Sequence, residues 1–317
     1  MQIFNDLKHF LQNSAQKKSQ SGVFRPFIAI LGPTASGKTA LSLKIAKMFD
    51  GEIISADSRQ VYKFMDIGTD KILEAEQQGI PHHMLDILEP DEEFTLADFK
   101  KLGLKAIEDI ERRHKIPILV GGTGLYFNAI MQNYQIPSVP PNAELRRKLN
   151  KFAEENGAEA LHAMLRERDP QAAAGIHPNN VRYVIRALEI NIAGKIPKID
   201  TKGEPVFDVF TIGISWPREA LYARIDRRVD RQIERGLIDE TKSLLERGFS
   251  EKLPSMSSLG YPEIIAYIRE EIPLEKAVET IKKNTRNYAK RQMTWFRQYG
   301  DIHWLDGQEL ETFLKKH

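Results

Sequence analysis

The chain has 317 residues, enough for one large α/β core with an appended subdomain or for two modest domains. Hydrophobic residues at 41% and charged residues at 28% suit a packed globular protein, and a net charge of +2 leaves any nucleic-acid partner to be read from where charges cluster. With no cysteine, disulfides, thiolate metal sites and a cysteine nucleophile are excluded, in keeping with a reducing cytoplasmic setting. No apolar run reaches the roughly 18 residues that cross a bilayer, so no membrane role is expected.

In chain order, Ile3, Phe4, Leu7, Phe10 and Leu11 recur at helical spacing, which predicts a short docking helix followed by a Gln/Ser/Lys linker over residues 14–22. Acidic Asp6 and the scarcity of arginine argue against an organelle signal. Four apolar runs then read as strands: "PFIAIL" (Pro26 to Leu31), "EIIS" (Glu52 to Ser55), "IPILV" (Ile116 to Val120) and "VFTIGIS" (Val209 to Ser215). Each is followed by turn residues and a helical pattern, and the first by the glycine-bearing "GPTASGKT" (Gly32 to Thr39), so the expected fold class is α/β, P-loop NTPase-like. A mostly parallel sheet is flanked by helices and carries an all-helical insertion.

In such a sheet, ligands bind beyond the carboxyl ends of the strands. The candidate walls are therefore "GPTASGKT", "ADSRQVY", "GGTGLY" and "WPREALYARIDRR". The expected organisation is an extension at 1–23, a catalytic core at 24–137 and 205–317, and a helical insertion at 138–204. "IPSVPP" and "KIPKIDTKGEP" bracket the insertion, with Asn142 and Asn179 or Asn180 as helix caps.

Gly32, Gly37, Lys38 and Thr39 match G-x-x-x-x-G-K-[ST], here preceded by a strand and followed by a helix. Such a loop turns backbone N–H groups around an anion, and the following helix adds its positive dipole end. Lys38 supplies a point charge, and the Thr39 hydroxyl suits Mg²⁺, which keeps most of its waters and takes substrate phosphate oxygens. The cradle does not name the phosphate's owner. A nucleotide enzyme usually has an apolar strand ending in a metal-binding Asp, whereas "IPILVGGTG" ends in glycines, leaving Asp86 in "HHMLDIL" as a weak substitute. Asp57, past the second strand, can be a Mg²⁺ ligand through water, a general base or a helix cap. With Ser58, Arg59 and Gln60 it concentrates four polar groups at one strand end.

Beyond the cradle, the stretches "SADSRQVYKFMDIGTDK", "PHHMLDIL", "FTLADF", "PILVGGTGLY", "RYVIRALEI", "LYARIDRRV", "SSLGYPEI" and "TRNYAKRQMTWFR" follow one another from residue 55 to 297. In this series the chain resembles the tRNA dimethylallyltransferases, also called tRNA isopentenyltransferases. The resemblance implies transfer of a dimethylallyl group from dimethylallyl diphosphate to N6 of the adenine 3′-adjacent to the anticodon, with Mg²⁺. It implies Asp57 as general base, with Lys38 and Thr123 also at the catalytic centre. The loop Gly32, Pro33, Thr34, Ala35, Ser36, Gly37, Lys38 and Thr39 would hold diphosphate and metal, with Arg224 and Arg228 facing it. Asp57, Ser58, Arg59, Gln60 and Thr123 would contact the flipped adenine and its neighbours. Arg146, Arg182, Arg186, Arg286 and Lys290 would hold the tRNA anticodon stem-loop, and a monomer is the family expectation. The chemistry suits these residue types. Cations and N–H groups stabilise a leaving diphosphate. A carboxylate of ordinary pKa, about 3.9, can take a proton that becomes acidic only as the new bond forms.

On the helix covering 282–299, Lys282, Lys283, Arg286, Lys290 and Arg297 share one side, suited to phosphates. Ile281, Tyr288, Trp295 and Tyr299 share the other, which reads as packing. Arg224, Arg228, Arg231 and Arg235 form a second stripe, equally readable as a solvated face paired with Asp226, Asp230 and Glu234. His82 and His83 lack the companions of a metal site. Two rivals remain at this level: an ATP-dependent P-loop kinase of a small metabolite, and an RNA-binding protein that keeps an anion loop.

Overall fold

The computed structural model describes residues 2–21, 25–137, 139–194 and 202–316. They form two compact units, Met1–Met131 with Pro205–His317, and Gln132–Glu204.

The first unit opens with α1 (Gln2–Ser21), β1 (Pro26–Leu31), α2 (Lys38–Phe49), β2 (Gly51–Ala56), β3 (His82–His83), α3 (Leu96–Arg112), β4 (Ile116–Gly121) and α4 (Gly124–Met131). The second holds α5 (Ala143–Asn156), α6 (Ala158–Arg168), α7 (Pro170–Gly175) and α8 (Val181–Ile192). The chain returns to the first with β5 (Asp208–Ser215), α9 (Arg218–Glu234), α10 (Leu237–Glu246), α11 (Tyr261–Ile268), α12 (Leu274–Phe296), β6 (His303–Asp306) and α13 (Gly307–Lys316).

The sheet runs β3-β2-β4-β1-β5-β6 with every pair parallel. β1 shows why its sequence is continuously apolar. Ile28 and Ile30 face Leu41, Ile45, Ile118 and Ile212, while Phe27, Ala29 and Leu31 face Phe99, Ile107, Phe127 and Phe296. A strand buried on both faces has no polar side to alternate with.

Two expectations are corrected. No linker begins at residue 14, because α1 continues as helix through Ser21. The helix itself docks as its apolar spacing predicts: Leu7 is fully buried and Phe4 stacks on Phe313 at 4.1 Å. Burial of one such side chain is worth about 1.5–3 kcal/mol, enough to hold a helix of marginal intrinsic stability on the sheet. The compact insertion begins at Gln132 instead of 138, since the segment entering it is hydrogen-bonded to the segment leaving. Gly203 N–H donates to Gln132 O at 3.0 Å and Asn133 Nδ2 to Glu204 O at 3.0 Å. Most of the polar stretch expected to close the insertion, 195–201, lies outside the described residues.

Inside the insertion, Asn142 caps α5 by accepting from Leu145 N–H at 2.9 Å, and Asn180 opens α8 without a side-chain bond. Buried Glu189 accepts from Arg146 at 2.8 and 3.0 Å, from Arg186 at 2.5 Å and from Asn142 N–H at 2.5 Å. Burial pushes its carboxyl up, but the bonds from Arg146, Asn142 and Arg186 outweigh it and the pKa falls.

Candidate active site

The carboxyl edge of the sheet gathers the ends of β1, β2, β4 and β5. Leu31 pairs with both Gly121 and Gly213, and Ala56 pairs with Gly121. From β1 the chain enters the phosphate loop. Ala35 at φ 61° and Gly37 at φ 99° adopt left-handed conformations, the local cost of turning successive N–H groups inward. The outside of the loop is held by neighbours. Trp216 Nε1 donates to Ser36 O at 3.0 Å, and Arg224 Nε donates to Ala35 O at 2.9 Å. The Arg224 guanidinium also lies 4.4 Å over the Trp216 ring and pairs with Glu311 at 2.5 Å. Arg228, one turn along α9, donates to Thr34 Oγ1 at 2.6 Å and pairs with Asp70 at 3.4 Å.

Lys38 turns back on the loop, donating to Gly32 O at 3.0 Å and Pro33 O at 2.8 Å. Its side chain is half-buried, but the ammonium is enclosed by loop carbonyls. Burial and the Arg228 charge lower its pKa to about 8, against the opposing pull of Asp57 and Asp70. Ser36 Oγ is fully buried with no partner among the described residues. A buried unpaired hydroxyl costs about 1–3 kcal/mol, and here it sits within a loop shaped for an anion. Thr39 is exposed at the start of α2, where N–H groups have no intrahelical partner. An exposed hydroxyl at the end of the loop fits Mg²⁺ bound chiefly through substrate and water, a mode that needs no carboxylate cage. Among the described residues no cluster of three or more His, Asp or Glu could hold a metal alone.

Opposite the loop, Asp57 Oδ1 accepts from Arg59 N–H at 2.8 Å and Gln60 N–H at 3.4 Å, so the carboxylate also caps its own turn. Thr123 N–H donates to Ala56 O at 3.2 Å and Thr123 Oγ1 accepts from Ser58 N–H at 3.2 Å, stitching the end of β4 to the Asp57 turn. Lys38, Tyr126 and Tyr288 all feel the Asp57 charge. Burial and then Asp57 push the Tyr126 phenol up, and the same causes raise Tyr288 to about 12, where the Thr123 side chain hydrogen-bonds it. Asp57 is thus the charge common to Lys38 and Tyr288, and Thr123 bonds both the Asp57 turn and Tyr288. Gln60 accepts from Ser55 Oγ at 3.0 Å, and Arg59 reaches Pro254 O at 2.5 Å and Ser257 Oγ at 3.2 Å. Behind this turn, Glu240 accepts the N–H groups of Asp66, Ile67 and Gly68 at 2.7–2.9 Å and the Tyr261 hydroxyl at 2.7 Å.

Other expected site residues have prior commitments. Asp86 does not serve as a stand-in metal carboxylate: the Lys71 ammonium, itself buried, holds it at 2.6 Å together with Asp66. On α12, Arg286 pairs with Asp226 at 2.6 Å and Lys282 with Asp230 at 2.5 Å, so those acids neutralise α12 and not the arginines of their own helix. Lys290 stays exposed. Trp295, Tyr299 and Ile281 pack into the core as their spacing suggests, but Tyr288 instead meets Thr123. In the helical unit, Arg182 is exposed beside Tyr183, while Arg146 and Arg186 are engaged by Glu189. His83 bonds Glu52 and His82 bonds Ile80 O, both at 2.8 Å.

Sequence reasoning missed Trp216, Glu240 and Gln292. For Gln292 one signal existed: an amide at helical spacing between Tyr288 and Trp295, on a face otherwise read as packing.

The parallel sheet, the loop after β1 and the helices on both faces define a P-loop NTPase-like α/β protein. A family model described as IPP transferase matches residues 60–299. A tRNA dimethylallyltransferase of Acetivibrio thermocellus is 48% identical over 290 residues, 90% of this chain and 93% of that one. Another, of Roseiflexus castenholzii, is 50% identical over 279 residues, 87% and 91% of the two chains. Among solved structures, a tRNA isopentenylpyrophosphate transferase from Bacillus halodurans is 43% identical with a TM-score of 0.67, covering 92% of this chain and 96% of that one. A eukaryotic dimethylallyltransferase acting on tRNA is 34% identical with a TM-score of 0.77, covering 91% and 75%. The chain belongs to the IPP transferase family, the tRNA dimethylallyltransferases.

Proposed function

We propose that this protein transfers the dimethylallyl group of dimethylallyl diphosphate to N6 of the adenine 3′-adjacent to the anticodon of tRNA, with Asp57 as the general base. The observation that carries the reading is the convergence at one sheet edge of the phosphate loop with Asp57 and Thr123, the Asp57 charge reaching the Lys38 ammonium. β4 ends in Gly121, followed by Gly122, where a nucleotide-hydrolysing strand would carry its metal-binding Asp, which favours this reading over a kinase.

The diphosphate lies in the loop with Lys38 on its terminal phosphate, and Arg224 and Arg228 hold the outer wall. N6 attacks the allylic carbon, the carbon–oxygen bond breaks, and its electron pair leaves with the diphosphate. Asp57 takes the N6 proton through an oxygen not engaged by its own turn, and Thr123 orients the acceptor side of the gap. The Thr39 hydroxyl and the substrate's phosphate oxygens would hold Mg²⁺, which when bound would neutralise charge on the leaving group. An unpaired loop adenine costs less to extrude than a stacked, paired one, which suits an anticodon loop as substrate. Arg182 and Lys290 supply exposed cations for phosphates, with Arg146, Arg186 and Arg286 working from their carboxylate partners. A cytoplasmic monomer completes the proposal.

The test is incubation with Mg²⁺, dimethylallyl diphosphate and unmodified tRNA, followed by mass analysis of the nucleosides. One five-carbon addition at a single adenosine, with ATP untouched in a parallel reaction, is expected. Turnover of ATP without any prenylated nucleoside would refute it.

A further inference from the structure

We propose that Gln292 is a positioning residue for prenyl transfer: its side-chain amide holds the phosphate loop and the Gly122–Thr123 turn at a fixed separation across the reaction gap. The inference rests on the function proposed above.

Gln292 is 6% exposed. Its Oε1 accepts from Thr34 N–H at 2.9 Å, and its Nε2 donates to Gly122 O at 2.9 Å. Only a side chain with a donor and an acceptor on one planar group satisfies an N–H and a C=O at once. Thr34 lies in the loop that carries Lys38; Gly122 precedes Thr123, which is bonded to the Asp57 turn through Ala56 and Ser58. The β1–β4 ladder ends at Leu31 with Gly121, and one residue further along β4 the amide takes over the connection. The fit is close. A Cβ on Gly122 would collide with Gln292 Nε2, so glycine is required there for proximity, not for backbone freedom. α12 gives the amide a rigid base, since Phe296 and Ala289 on either side of it are fully buried. The bond also directs the Thr34 N–H toward α12, and so fixes which loop donors remain for phosphate.

A group that sets the distance between two half-sites binds neither substrate. Its loss should therefore register in kcat, where a misplacement of about 1 Å costs on the order of 100-fold. Gln292→Leu is expected to lower kcat about 100-fold while the Kd for inorganic pyrophosphate with Mg²⁺ and the Kd for tRNA each change less than about threefold. Gln292→Glu supplies a second readout. Its ionised carboxylate accepts from Thr34 N–H but repels Gly122 O, whereas the protonated acid donates to Gly122 and restores both bonds. Its kcat relative to the parent should therefore climb as pH falls, which a purely structural defect would not produce. If Gln292→Leu does not fold, the pH profile of Gln292→Glu decides. A Gln292→Leu kcat near the parent's, a loss confined to pyrophosphate affinity, or a flat relative profile for Gln292→Glu would overturn the proposal. A parent that never prenylates tRNA would instead sink the function itself, so the two failures are distinguishable.

Discussion

Lys38 is stored in a poised state. Its ammonium donates to two carbonyls of its own loop, and burial with the nearby Arg228 charge brings its pKa down to about 8. A lowered lysine pKa means that the unfolded chain takes the proton first as pH falls from 10.5 toward about 8. Stability is therefore withdrawn across that window, and the cost is complete below it. On the proposed function the compensation comes from the substrate, because a bound diphosphate would favour the ammonium and raise its pKa again. Diphosphate binding near pH 8 should draw protons onto the enzyme, and affinity should decline as pH rises beyond that point. Calorimetry in buffers of differing ionisation enthalpy measures the uptake, and subtracting Lys38→Met removes the ligand's own titration. Equal uptake by the parent and Lys38→Met would show that Lys38 does not titrate there. Ser36 and Glu240 make the same point at residue scale. One buried hydroxyl lacks a partner inside the anion loop, and one carboxylate has four donors holding the Asp66–Gly68 turn.

At the scale of elements, the helices are joined through ion pairs that sequence spacing conceals. Within the helical unit, Glu189 joins α8 to α5 through Arg146, and Arg186 lies on the same carboxylate. Glu189 is buried but its arginine partners keep 40% and 31% of their side-chain surface in solvent, so Glu189→Leu should destabilise this unit by about 1–2 kcal/mol, chiefly from the lost charged hydrogen bonds. Denaturant unfolding followed in the insertion measures it; a loss under about 1 kcal/mol would mean the pair is well solvated. Arg146→Ala should likewise weaken tRNA binding partly by loosening the unit, whereas Arg182→Ala, at an exposed cation, should weaken it with no change in unfolding.

The strands that were legible are those buried on both faces, where five or six apolar residues run between turns, as in β1 and β4. β3 has two residues, registered on Ile53 and Ile54, and β6 has four with exposed His303 and Trp304; segments that short carry no period. The length of α1 was misread because Gln, Ser and Lys after residue 14 suit linkers and exposed helix surfaces alike.

For the whole molecule, a parallel sheet brings to one edge what the chain separates by more than two hundred residues. The phosphate loop was legible because its geometry is local: glycines, a lysine and a helix start within eight residues. Asp57 and Thr123 were legible as polar residues at strand ends. Gln292 was legible only as an amide on a packing face; its role depends on α12 crossing behind both loops, which no local pattern encodes. The same separation explains why binding and chemistry should come apart. On the proposed function, phosphate grip would belong to the loop after β1, tRNA grip to exposed cations elsewhere, and proton removal to the Asp57 carboxylate.

Single-turnover prenyl transfer in the parent and in Asp57→Asn, with tRNA affinity measured on the same samples, examines that division most directly. Asp57→Asn should bind tRNA as the parent does and transfer the prenyl group at least about 100-fold more slowly. Equal transfer rates in the two proteins would remove Asp57 as the base, and with it the chemical role assigned to the gap between the phosphate loop and Thr123.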